Sequence, residues 1–202
     1  MNYQGNSMNI GLLGGTFDPI HCVHLMVAEY VRDAMHLDEI WFMPSHIPPH
    51  KEGREILHSS KRLEMVRLAI ADTPHFQDFP FELDRNGPTY TIDTMRELRK
   101  QYPEHQFFFI IGGDMIDYLP HWHQIEELVR LIHFVGVPRP GYEPQNEYAR
   151  RFVQLVPMPQ IDISSSLIRQ RVSNGQTVRF MIPEVVRKYI EENQLYGSRR
   201  TS

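Results

Sequence analysis

The chain has 202 residues, 41% of them hydrophobic, enough to build the core of one α/β domain. Its net charge of −4 excludes a globally basic binder of nucleic acid or membrane surface, so any affinity for anions must be local. Cys22 is the only cysteine, which excludes an internal disulfide framework and fits a reducing cytoplasm.

Residues 1–7 are polar, lack the basic and apolar regions of a signal peptide, and read as an extension. Residues 8–13 read as a buried strand, 24–35 as an amphipathic helix, and 39–43 as a second strand ended by Pro44. Residues 44–58, rich in proline, histidine and charge, read as a loop. Ser60 is placed to cap a helix to Ala71 whose apolar positions include Leu63, Val66, Leu68 and Ile70. A third strand region is expected over 76–83, then a helix over 91–102 ended by Pro103. Residues 106–111 form the most hydrophobic strand and run into Gly112-Gly113-Asp114. Its clean apolar run, 107–111, is far too short to span a bilayer. A helix over 124–131 and a strand over 132–137 follow. The prolines and glycine of 138–148 predict a loop, and 152–156 a last short strand. Residues 165–172 and 183–193 are the final helices, with Pro183 suited to a first turn. Residues 197–202 read as a polar tail.

This alternation predicts an α/β fold: a Rossmann-like, doubly wound, mostly parallel sheet with helices on both faces and a C-terminal helical segment. Residues 8–196 read as a single domain, without repeats or linkers.

Two stretches carry chemistry. Gly14-Gly15-Thr16-Phe17-Asp18-Pro19-Ile20-His21-Cys22-Val23-His24 lies where the first strand hands over to a helix, the place where open α/β sheets bind ligands. The glycines permit a tight turn and close backbone approach to a phosphate. His21 and His24 are three apart, face the same way on a helix, and can donate hydrogen bonds to phosphate oxygens. The spacing alone also allows a helix-start histidine beside a loop histidine. A zinc pair is a further reading, but it needs at least a third protein ligand. His46, His50, His121 and His123 are available, and the spacing singles out none. The second stretch is Ile163-Ser164-Ser165-Ser166-Leu167-Ile168-Arg169. Its serines cap a helix start, and Arg169, one turn in, can fork onto phosphate oxygens. Taken alone it also fits a serine-capped surface helix.

Together the two resemble the nucleotidyltransferase superfamily, whose motifs are His-x-Gly-His and Ile-Ser-Ser-Ser/Thr-x-x-Arg. The segments Pro48-Pro49-His50-Lys51, Gly87-Pro88-Thr89-Tyr90-Thr91, Ile110-Ile111-Gly112-Gly113-Asp114, Leu119-Pro120-His121-Trp122 and Arg139-Pro140-Gly141-Tyr142 follow in order. With these the chain resembles the bacterial nicotinate-nucleotide adenylyltransferases from residue 8 to about 196. The resemblance implies that ATP and nicotinate mononucleotide are converted to deamido-NAD and pyrophosphate. Magnesium would be carried by the ATP phosphates, with no protein metal site. It implies no nucleic-acid or membrane partner, and a homodimer is compatible with it.

By the same resemblance His21, His24 and Arg169 are the catalytic candidates. Gly14, Gly15, Thr16, Phe17, Ser164, Ser165, Lys51 and Arg139 are expected on the ATP side. Thr91, Asp114, Tyr118 and Trp122 are expected on the mononucleotide side, Trp122 stacking on the pyridine and Thr91 bonding its carboxylate. The family's glycine between the histidines is Val23 here, which adds a branched side chain beside the nucleotide. Alternatives stay open: nicotinamide mononucleotide as substrate, a phosphopantetheine adenylyltransferase, or a nucleotide-binding module without turnover.

Overall fold

A computed structural model describes residues 7–45, 56–83, 90–139 and 141–198. Six strands form one sheet: β1 (Asn9–Gly15), β2 (Glu39–Pro44), β3 (Phe76–Asp78), β4 (Gln106–Gly112), β5 (His133–Val137) and β6 (Val153–Leu155). Their order is β3-β2-β1-β4-β5-β6, and every pairing is parallel. The chain therefore winds outward one way from β1, returns, and winds out the other way from β4. The β1/β4 boundary is the switch point, where the flanking loops part and leave a crevice.

Alternation along the strands explains why both faces are covered. Ile40 and Phe42 of β2, Leu13 of β1, Ile110 of β4 and Val135 of β5 enter one core. Trp41, Met43, Ile10, Leu12, Phe107, Phe109, Ile111 and Phe134 enter the other. Strands buried on both faces read as continuous apolar runs, as β4 does. The first core is sealed by α1 (Cys22–Ala34), α2 (Ser59–Ile70), α7 (Ser165–Ser173) and α8 (Glu184–Glu192). The second is sealed by α3 (Thr91–Gln101), α4 (Gly113–Tyr118), α5 (Ile125–Leu131) and α6 (Glu147–Phe152). Among the described residues, no helix is long and apolar enough to cross a membrane.

Several boundaries differ from the sequence reading. The third strand stops at Asp78: Phe79 still donates to the Phe42 carbonyl, but Pro80 has no N–H to continue the ladder. The cap of α2 is His58, whose Nδ1 accepts from the Ser60 N–H, so Ser60 lies inside the helix. The buried face of α2 is Arg62, Met65, Val66 and Ile70, with Leu63 and Leu68 only partly covered. The end of the expected 138–148 loop is already α6, capped by the Asn146 side chain accepting from the Ala149 N–H at 2.8 Å. Helix α4, which follows β4 directly, was not anticipated. Pro183 is the N-cap of α8, one residue outside its first turn. Residues 46–55 of the expected 44–58 loop lie outside the described residues.

Candidate active site

The loop between β1 and α1 lies at the switch point. Gly14 and Gly15 are the last residues of β1, and neither has a positive φ; the left-handed residue of the turn is Phe17, at φ 50°. The glycines thus serve close approach and not the turn itself. A side chain on Gly15 would stand 2.9 to 3.2 Å from three atoms of the Phe17 ring. Phe17 folds back into that space, is 1% exposed, and meets the His24 ring edge-on at 5.0 Å.

His21 is the N-cap of α1 and His24 its third residue, so the rings share one face and stack at 3.6 Å. The backbone N–H of His21 donates to Nδ1 of His24 at 3.1 Å. That bond leaves the proton of a neutral His24 on Nε2, as a donor for a ligand. Burial pulls the His21 imidazole down to about 4, and burial together with His21 holds His24 well below the ordinary histidine range. Both rings are neutral hydrogen-bonding groups at pH 7. His21 is buried, and its Nδ1 has no hydrogen-bond partner. A buried polar atom left unpaired costs about 1–3 kcal/mol unless something supplies the bond.

The opposite wall is the start of α7. A cleft of about 320 Å³ is lined by Thr16, Phe17, Asp18, His21 and His24 from the β1–α1 loop and α1, by Ile163, Ser164, Ser165, Ser166 and Arg169 from the start of α7, and by Ile56. A helix start presents N–H groups to an anion and its dipole favours one, although that of Leu167 is taken by the cap. Ser164 caps the helix by accepting from the Leu167 N–H at 3.2 Å. Ser165 Oγ donates to the Pro19 carbonyl at 2.8 Å, and Arg169 Nη1 to the Asp18 carbonyl at 2.7 Å. Arg169 Nη2 also donates to Ser166 Oγ. Much of the hydrogen bonding of this motif therefore joins α7 to the histidine loop.

The remaining candidates gather across the switch point, beyond β4. Tyr90 packs on His123 at 4.4 Å, which brings the start of α3, with Thr91, beside residues 118–123. Trp122 is half-buried and stands edge-on against Phe109 and Phe134, at 5.6 and 5.7 Å. Tyr118 is exposed and packs on His121. Asp114, in the first turn of α4, pairs with Arg139, two residues after β5, at 3.5 Å, both side chains being largely exposed. The two groups of residues thus lie on either side of the switch point between β1 and β4.

A cytidylyltransferase-like family model matches residues 12–171. The chain is 53% identical over 190 residues to a probable nicotinate-nucleotide adenylyltransferase of Geobacillus thermodenitrificans, covering 94% of this chain and 87% of that one. It is 49% identical to its counterpart in Oceanobacillus iheyensis, covering 93% and 96%. The chain belongs to the nicotinate-nucleotide adenylyltransferase family. Its fold is also that of the Plasmodium falciparum nicotinic acid mononucleotide adenylyltransferase solved with NaAD, with a TM-score of 0.76 at 22% identity over 96% of this chain and 100% of that one.

The structure brings His21, His24, Thr16, Phe17, Ser164, Ser165 and Arg169 to one cleft, while Gly14 and Gly15 end the strand that leads into it and do not line it. Thr91, Asp114, Tyr118, Trp122 and Arg139 lie outside that cleft, on the far side of the switch point. Lys51 lies outside the described residues. Val23, the second residue of α1, does not line the cleft. Among the described residues no three His, Cys, Asp or Glu side chains converge on a point. The third ligand a zinc pair requires is not found there, and His46 and His50 lie outside those residues.

The sequence reading missed three residues. Arg62 is 1% exposed beneath the loop, and its guanidinium donates to the carbonyls of Thr16 at 2.6 Å, Ser45 at 2.9 Å and Leu57 at 3.0 Å. Its signal was an arginine on the buried stripe of α2, with Met65, Val66 and Ile70. Asp18 is 3% exposed, and its carboxylate accepts from the Tyr196 hydroxyl. Asp18 stood inside the motif, whereas nothing local marks Tyr196.

Proposed function

We propose that the chain transfers the adenylyl group of ATP to nicotinate mononucleotide, giving deamido-NAD and pyrophosphate. Family membership supports the reaction. The observation that carries the site is the stacked pair His21 and His24, lining a cleft whose other wall is a helix start and an arginine. In this reading a phosphate oxygen of the mononucleotide attacks the α-phosphorus of ATP in line. The bond from that phosphorus to the β-phosphate oxygen breaks, and no covalent enzyme intermediate forms. His21 and the Nε2–H of His24 donate to phosphate oxygens as charge moves onto them, while Arg169 and the α7 N-terminus hold the departing pyrophosphate. Thr91 and Trp122 orient the pyridine ring across the switch point, and Asp114 binds a ribose.

Magnesium fits this site as a companion of the ATP phosphates, whose charge it neutralises when bound. We further read residues 8–196 as one domain acting in the cytoplasm, and sedimentation of the purified protein tests a homodimer. Incubation with ATP, magnesium and either nicotinate or nicotinamide mononucleotide, with pyrophosphate as readout, tests the activity. Release is expected with nicotinate mononucleotide and more weakly with the amide. No release with either overturns the reading, and stronger release with the amide reverses the substrate assignment.

A further inference from the structure

The turn that follows α8 reaches back into the loop that carries the histidines. Tyr196 lies in the short turn Leu195–Gly197, 178 residues from Asp18, and its hydroxyl donates to Asp18 Oδ1 at 2.6 Å. Its backbone is left-handed, at φ 55° and ψ 26°, a conformation bulky L-residues avoid. Such a residue persists only where its surroundings fix it, and here its ring packs on the first core while its hydroxyl finds a buried carboxylate. Burial and the Asp18 carboxylate push the phenol up, so it stays a donor.

What Tyr196 holds is next to what the reaction needs. The Asp18 carbonyl accepts from Arg169 and the neighbouring Pro19 carbonyl from Ser165, while Arg62 takes the Thr16 carbonyl from beneath. Segment 16–19 is thus fastened from α2, from α7 and from the C-terminal turn, and His21 follows two residues later. Asp18 is the only acidic side chain lining the described cleft, and Arg169 the only arginine or lysine. A buried carboxylate that loses its donor seeks another, and Arg169 already touches the same residue.

We propose that Tyr196 is a positioning residue for adenylyl transfer, which keeps the Asp18 carboxylate off Arg169 and leaves that guanidinium to the substrate phosphates. The inference rests on the reading of the cleft as the ATP phosphate site. In Tyr196→Phe, Asp18 turns toward Arg169 and competes with the departing pyrophosphate. The loss falls on kcat, about tenfold, while KM for the mononucleotide changes less than about twofold. Tyr189→Phe removes a phenol from the neighbouring helix, away from the cleft, and leaves kcat unchanged.

The experiment measures kcat and both KM values for wild type and the two variants, with Tm for each. A tenfold loss of kcat in Tyr196→Phe alone, assayed well below its Tm, bears the proposal out. Equal kcat in Tyr196→Phe and wild type overturns it, as does a matching loss in Tyr189→Phe. A wild type that releases no pyrophosphate overturns the function proposed above instead. Should Tyr196→Phe not fold, it is combined with Asp18→Asn, which removes the competing carboxylate: kcat of the double variant then matches that of Asp18→Asn alone, and a further tenfold loss on adding Tyr196→Phe overturns the proposal.

Discussion

The neutral state of His21 has a consequence for stability that can be worked through. In the unfolded chain an imidazole titrates near 6.5; in the native structure, burial brings His21 down to about 4. Between those values the unfolded chain binds more protons than the folded one, so stability falls as pH falls through the window. Above about pH 7.5 neither state is appreciably protonated and His21 contributes little pH dependence. From pH 7 to pH 5 the integrated loss is about 2 kcal/mol, and below pH 4 it levels off at about 3.4 kcal/mol. Urea unfolding of wild type and His21→Asn at pH 7 and pH 5 isolates this share. Wild type should lose about 2 kcal/mol more than the variant over that interval. Equal losses would refute the assignment of a buried, neutral His21. The same reasoning predicts that kcat/KM, which reports the free enzyme, shows no step near pH 6.5 from this residue.

Three further perturbations have expected outcomes. Gly15→Ala pushes its new methyl into the Phe17 ring and should destabilise by about 1–3 kcal/mol, read as a lowered urea midpoint, with kcat falling as Phe17 displaces His24. Trp122→Ala should raise KM for the mononucleotide at least about tenfold, the loss of one stacked ring, and leave KM for ATP nearly unchanged; equal rises would contradict its assigned side. Val23→Gly should lower KM for ATP if the branched side chain crowds the bound nucleotide. Because Val23 does not line the cleft, unchanged kinetics would mean that α1 accommodates valine at its second position without penalty.

The sheet was legible because strands buried on both faces announce themselves as apolar runs, and because each run is followed by a helical period. What failed were features decided by contacts across space. His58 caps α2 because its ring reaches the Ser60 N–H, although serine is the commoner cap. β3 stops early because Pro80 breaks the ladder inside a run that reads as apolar. In the site, the two motifs were visible as residue types at fixed spacing. That Ser165 and Arg169 grip the histidine loop was not, since their partners are carbonyls, which have no residue identity. Arg62 was hidden for the same reason: the carbonyls of Thr16, Ser45 and Leu57 that it holds are backbone oxygens.

The charge balance of the cleft bears on magnesium. Both histidines are neutral at pH 7, and among the lining residues the formal charges are one carboxylate, Asp18, and one guanidinium, Arg169. Arg62 adds a second positive charge from behind the loop, within electrostatic reach of Asp18. On the proposed reading a triphosphate meets helix N–H groups and imidazole donors, but little net positive charge from these residues. Hydrogen-bond donors orient phosphate oxygens, whereas several negative charges brought together also need a counter-charge. Pyrophosphate release should accordingly fall to background when EDTA removes magnesium and return on its readdition. Raising a monovalent salt to equal ionic strength should not substitute, because screening by bulk ions is weak in a partly buried cleft. Full activity in EDTA would mean that cations outside this cleft set, Lys51 among them, supply the missing charge.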